Sequence, residues 1–236
     1  MDRKTPAQAK TVDFTLLEKE LRGMIAACQS GALFRDEPFA SVPPPLRRLN
    51  DIAFSGNGEP TGFGPFAEIV DLVARVKRET AGNSVKIVLI TNGSGLNRPV
   101  VKRGLQIMNA NQGEVWVKLD AGTEDYFKSI NRSSIPLARI LNNIEKTIGI
   151  CPICIQSLFL RVQGEMPSEA EIVAYCGHLR RFKSQGGQIR EVQIYTVARP
   201  TPAPWAIALP DAQLLEIGRR VREITGLPVE CYPGGD

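Results

Sequence analysis

"DIAFSGNGEPTGFG", residues 51–64, runs a short apolar strand into a loop that holds four glycines and one carboxylate, Glu59. A glycine loop behind a strand usually brings backbone N–H groups up to a phosphate. Glu59 would repel such an anion. The loop is therefore better suited to a cation or an amine, and its position after a strand suggests how the rest of the chain is built.

Outward from this stretch, strand and helix alternate. Upstream, "DFTLLEKELRGMIAACQSG" places Phe14, Leu17, Leu21, Met24, Ile25 and Cys28 at helical spacing, with Gly31 as a stop. A proline-rich link, "FASVPPPLRRLN", leads to the strand. Downstream come a helix in "FAEIVDLVARVKRE", the strand "VKIVLI", a helix from Pro99 to Met108 and the strand "EVWVKLD". Helices in "EDYFKSI" and "ARILNNIEKTI" follow, then the strand "IQSLFLRV" and a helix from Ser168 with a Ser168–Glu171 capping box. "EVQIYTVA", the helix "AQLLEIGRRVREITG" and "PVECY" complete the order. Strands read as apolar on both faces and joined by helices predict an α/β fold with a parallel sheet, open or curled into a barrel. The expected organisation is a single domain over 1–236, with a leading helix and link over 1–49 and βα repeats over 50–232. The chain opens on a helix where a βα repeat should open on a strand, so a first strand is missing from the pattern.

Composition narrows the function. With 43% hydrophobic and 23% charged residues the 236-residue chain reads as an ordinary globular protein. The net charge of +4 comes from scattered pairs such as Arg47-Arg48 and Arg219-Arg220 without interleaved aromatics, so nucleic acid is not signalled. No signal-peptide core and no run near 18 apolar residues is present, which gives the expectation of a cytoplasmic protein with no membrane contact. Five scattered cysteines are expected as thiols rather than a disulfide framework. His178 is the one histidine; it excludes a histidine metal cluster and is expected to be structural or at the surface. Cys151 and Cys154, in "CPIC", have metal-like spacing but no second pair to complete four ligands, so no metal ligand is assigned. Cys28, Cys176 and Cys231 are isolated.

Parallel α/β folds collect ligands at the C-terminal ends of their strands. Those ends read "SGNGEP", "TNGSG", "KLDAG", "LRVQG" and "TVARPTP". Turns and helix caps account for the glycines but not for Glu59, Lys118 and Asp120. Lys118 and Asp120, two apart, are expected on one strand face, either binding a ligand or forming a buried structural ion pair.

Four of these segments in this order, "FSGNGEPT" (54–61), "TNGS" (91–94), "VKLDAGTEDYFKSINR" (117–132) and "YTVARPTP" (195–202), resemble the radical S-adenosylmethionine (radical SAM) superfamily. The resemblance implies a partial (β/α)6 TIM-like barrel of parallel strands. It also implies that Gly56, Asn57, Gly58 and Glu59 hold the methionyl ammonium group of S-adenosylmethionine, and that Thr91, Asn92, Lys118, Asp120 and Arg132 contact its ribose and carboxylate. A carboxylate among glycines fits that ligand physically, since backbone carbonyls and a charge-assisted bond both suit an ammonium. Members carry a [4Fe–4S] cluster on three cysteines spaced C-x3-C-x2-C after the first strand, and this sequence has no such motif. "MDRKTPAQAK" resembles the stretch behind the third cysteine, so the expectation is that strand and motif lie upstream of Met1. Such a protein would generate a 5′-deoxyadenosyl radical and abstract hydrogen from an unidentified substrate, fed by a reductant such as flavodoxin or ferredoxin. The alternatives are a degenerate scaffold or binding module without the cluster, and an unrelated barrel enzyme using Glu59, Lys118 and Asp120 for acid–base work.

Overall fold

The computed structural model describes residues 11–56, 58–199 and 203–234. The residues in "MDRKTPAQAK", Asn57 and the "PTP" of 200–202 lie outside it, so the expectations placed on them are not addressed by the structure. The order is α1 (Phe14–Gln29), β1 (Asp51–Phe54), α2 (Phe66–Thr80), β2 (Lys86–Thr91), α3 (Pro99–Asn109), β3 (Gly113–Lys118), α4 (Glu124–Asn131) and α5 (Leu137–Thr147). Then come β4 (Ile153–Leu158), β5 (Leu160–Val162), α6 (Glu169–Ser184), β6 (Ile189–Tyr195), β7 (Ala206–Ala208), α7 (Asp211–Thr225) and β8 (Val229–Tyr232). Six strands form a sheet in the order β1-β2-β3-β4-β6-β8. The chain is an α/β protein with a parallel sheet, as the alternation predicts. Backbone packing divides it into two compact units, one running to Leu89 and including Arg98–Glu114, the other made of Ile90–Asn97 and the chain from Val115 onward.

In the first unit, Asp13 starts α1 by accepting the N–H groups of Thr15 and Leu16 on its side chain. Glu18 on α1 bonds Arg22 and reaches Arg75 on α2 at 2.7 Å, and these guanidiniums hold its carboxyl down at about 2. Helices α2 and α3 approach closely because Gly104 has no side chain; a Cβ there would lie 2.6 Å from the Phe66 ring. Lys77 is fully buried on α2, where burial pushes its pKa down, and it donates to the Asn111 carbonyl at 3.1 Å and to Gln112. β1 and β2 pair in parallel from Asp51↔Lys86 to Phe54↔Leu89.

In the second unit β3, β4, β6 and β8 pair in parallel, and one face of each strand is apolar: Val115 and Val117, Ile153 and Ile155, Val192 and Ile194, Val229. Behind that face Ser157 donates to the Leu119 carbonyl at 2.7 Å and meets the hydroxyl of the fully buried Tyr175 at 2.6 Å. The edge-to-face pair of Phe159 and Tyr175, centroids 5.5 Å apart, fills the space beside it.

Three sequence expectations are corrected here. The strands of this unit are not apolar on both faces: Trp116 and Lys118, Gln156, and Glu191, Gln193 and Tyr195 alternate with the buried apolar residues, Gln193 being itself buried. "IQSLFLRV" is two strands, because the chain leaves the sheet at Phe159 and pairs antiparallel as β5 with β7, an element without a clear sequence signal. The capping box is half formed. Ser168 accepts from the Glu171 N–H at 3.2 Å, but the Glu171 carboxylate turns away to a loop described below.

Candidate functional site

Two groups of residues occupy the strand ends singled out in the sequence, one in each unit. The first is the loop after β1. Gly56 and Gly58 are exposed, Glu59 is half-buried, and a cavity of about 630 Å³ is lined by Phe54, Gly56, Gly58, Glu59, Phe63 and Phe66 among others. Gly56 has a φ of +152°, a conformation that side chains disfavour. A Cβ on Gly56, Gly58, Gly62 or Gly64 would meet nothing within 4 Å, so none of these glycines serves to make room for the protein's own atoms. Glu59 caps the short 3-10 turn Pro60–Gly62: its Oε1 accepts from the Thr61 N–H at 3.2 Å and from the Thr61 hydroxyl at 2.6 Å. Thr61 is fully buried, and its carbonyl accepts from the Arg98 guanidinium, which fixes the turn from α3's side. These bonds from a residue two positions away hold the carboxylate in place.

The second group surrounds the ends of β2, β3, β4 and β6. Thr91 is buried, and its hydroxyl accepts from the Gly93 N–H at 3.1 Å, closing the turn; Asn92 is exposed and its Oδ1 accepts from Ser94 N–H at 2.9 Å. Gly93 adopts φ +79°, and Asn143 of α5 donates to the carbonyls of Gly93 and Ser94 at 2.9 and 3.1 Å. This turn is built as a rigid shelf.

β3 stops at Lys118, and Asp120 follows two residues beyond its end. The two act on each other. Asp120 is buried, accepting from the Leu158 N–H at 2.9 Å and from the Asn131 side chain at 3.1 Å. Its charge holds the Lys118 ammonium above its usual range against the opposing cost of burial, with Tyr195 acting in the same direction. Burial, reinforced by Asp120, pushes the Tyr195 hydroxyl up. Arg132 closes α4 in a left-handed conformation at φ +47°, and its guanidinium stacks 4.4 Å from the centroid of the Trp205 ring.

The loop joining β3 to α4 is held from a distance in sequence. Glu171 of α6, itself buried, accepts the N–H groups of Gly122 and Thr123 and the Thr123 hydroxyl. His178, about two turns along the same helix, meets the Gly122 carbonyl at 2.8 Å, the structural role expected for it. Gly122 could carry no side chain, because a Cβ would stand 2.2 Å from the Tyr175 backbone nitrogen.

Of the residues expected in the site, Gly56, Gly58 and Glu59 share one pocket, while Lys118 and Asp120 interact, and Thr91, Asn92 and Arg132 stand at neighbouring strand and helix ends of the second unit. Sequence reasoning missed Glu171, Asn131, Tyr195 and Trp205. Tyr195 stood in a period-two pattern, "EVQIY", that marks a polar strand face; Glu171 gave only the signal of a capping box, and Asn131 gave none. The buried Tyr126 hydroxyl and Asn131 Oδ1 have no partner among the described residues, and burial raises the Tyr126 hydroxyl to about 12. No three His, Cys, Asp or Glu side chains converge as metal ligands among the described residues. No helix among them is long and apolar enough to cross a membrane.

No family model matches the chain, and no curated protein matches it. Solved structures do. A radical SAM methyltransferase from Sphaerobacter thermophilus superposes with a TM-score of 0.62 at 19% identity, over 90% of this chain and 56% of the other. An archaeal TYW1 gives a TM-score of 0.55 at 14% identity, over 95% of this chain and 68% of the other. The chain thus spans little more than half the length of the methyltransferase it matches. At these identities the likeness speaks for architecture alone: the chain shares the α/β fold of these two solved structures, with its parallel sheet.

Proposed function

We propose that this chain is the S-adenosylmethionine-binding core of a radical SAM-type enzyme, with the loop of residues 56–59 receiving the methionyl ammonium group. The observation that carries the reading is the loop after β1: glycines whose missing side chains face open space, around a carboxylate fixed at the wall of a cavity of about 630 Å³. That volume lies in the range of small-molecule sites, about 300–1,000 Å³. An ammonium donates in three directions and suits bare carbonyls beside a carboxylate. The rigid Thr91–Ser94 turn, Lys118 with Asp120, and Arg132 are the polar groups of the second unit proposed for ribose and carboxylate recognition. In this reading Thr91 and Asp120 act mainly by holding backbone, since their oxygens already serve Gly93, Leu158 and Asn131.

An iron–sulfur cluster does not fit the described residues, which offer no converging ligand set. In radical SAM chemistry the cluster supplies the electron that cleaves the sulfonium. The contribution derived for this chain is binding, orientation and the exclusion of water. Calorimetric titration of the chain with S-adenosylmethionine tests the reading directly. Saturable binding that Glu59→Gln weakens by about 1.5–3 kcal/mol, the range for a charge-assisted bond, is expected. No heat of binding to the folded protein would reject it.

A further inference from the structure

The polar face of the second unit's sheet carries a site of its own. Trp116 and Lys118 on β3, Gln156 on β4, and Gln193 and Tyr195 on β6 lie in register on that face, through the pairings Lys118↔Gln156, Gln156↔Gln193 and Tyr195↔Tyr232. A cavity of about 430 Å³ opens there, walled by the rings of Trp116, Tyr195 and Tyr232 and floored by the amides of Gln156 and Gln193.

The amides are oriented by a carboxylate. Glu191 can only accept when ionised, so the 2.6 Å contact from Gln193 places the Gln193 Nε2 toward it. Gln193 Oε1 must then face β4, where it accepts from Gln156 Nε2 at 2.9 Å. Gln156 is left with its carbonyl oxygen and a second N–H, an adjacent acceptor and donor held in place by the chain of bonds behind them. Beside them, the Trp116 indole N–H is buried without an acceptor among the described residues. Buried donors of this kind are rare and usually mark water or a ligand.

We propose that this face binds a neutral planar ring that presents an N–H next to a carbonyl, the lactam edge of a keto pyrimidine or keto purine. Aromatic walls recognise the flat faces of such a ring, and one amide side chain is complementary to its edge. The proposal rests on the reading above in taking the ring as part of the substrate of that enzyme.

The test uses the full chain with Trp205→Phe, so that Trp116 alone reports by fluorescence, titrated with uracil, with 1,3-dimethyluracil and with adenine. Uracil is expected to quench saturably at millimolar concentration or below. Dimethyluracil, which lacks the N–H, should bind about 10-fold more weakly, the effect of losing one hydrogen bond. Gln156→Leu should remove the discrimination between the two while calorimetry with S-adenosylmethionine is unchanged. If Gln156→Leu does not fold, the comparison of the two rings in the unsubstituted site decides alone. No saturable quenching by uracil, or equal binding of uracil and dimethyluracil, overturns the proposal. Displacement of uracil by S-adenosylmethionine with adenine binding as well as uracil also overturns it, because the face would then belong to the cofactor's own base. Uracil binding with dimethyluracil discrimination but no S-adenosylmethionine binding supports this site while rejecting the proposed function.

Discussion

Two strand-to-helix loops of this molecule are built around glycine, and the glycines do opposite things. Around residues 56–64 the space where side chains would stand is open. At Gly122 that space is already taken by the backbone of α6, with the Tyr175 nitrogen 2.2 Å and the Glu171 carbonyl oxygen 2.5 Å from an added Cβ. In the proposed function one loop is bare so that a ligand can come close; the other is bare so that the protein's own backbone can. The letter is the same, and only the surroundings distinguish an open loop from a packing joint.

Substitution should separate them sharply. Gly122→Ala must push α6 away from the loop and strain the bonds from Glu171 and His178, and overpacking against backbone of this kind costs about 3 kcal/mol. Thermal unfolding followed by circular dichroism should fall by roughly 10 °C for a chain of this size. A shift of only a degree or two would mean the loop and helix are less tightly joined than the structure shows. Gly58→Ala should do the reverse. Its melting temperature should stay close to that of the parent, since nothing is displaced, while S-adenosylmethionine affinity falls by about 10-fold as the methyl group intrudes on the ligand. An alanine that binds as well as glycine would end the claim that the loop is bare for a ligand.

A smaller effect concerns Asp120, in the same loop as Gly122. The Lys118 pKa is raised by Asp120 above 10.5, and that of Tyr195 is raised above 10.0 by burial. Both groups therefore bind protons more tightly in the folded state. Their contribution is complete below those ordinary values and is lost as pH rises through the folded ones. The stability difference between the protein and Lys118→Met, measured by urea unfolding, should be constant from neutral pH up to about 10 and shrink above it. A difference that grows with alkalinity would contradict the pairing.

These contrasts explain how far the sequence could be read. Helices α1 to α7 and the strands of the parallel sheet follow from apolar periodicity, because burial against a sheet imposes it locally. The glycine loop was legible for the same reason, since Glu59 and Thr61 bond each other across two positions. The support of the other loop was not. Glu171 reaches Gly122 and Thr123 across nearly fifty residues, and its place in the sequence mimics a capping box that it does not complete. The exit of the chain at Phe159 into β5 was hidden because β4 and β5 are continuous in hydrophobicity and β5 pairs only with the distant β7. The polar sheet face was present as a period-two pattern in "EVWVK" and "EVQIY", but it was obscured by the apolar residues between its members.

The central claim is that Glu59 and the open backbone around it receive an ammonium group. It is tested most directly by a double cycle of calorimetric titrations. S-adenosylmethionine and an analogue with hydrogen in place of the amino group are each titrated into the protein and into Glu59→Gln. The account predicts that removing the amino group weakens binding to the parent protein by about 10-fold or more and weakens binding to Glu59→Gln much less, so that the two changes are coupled. Equal losses in both proteins would show that the ammonium and Glu59 do not meet, and would contradict the account.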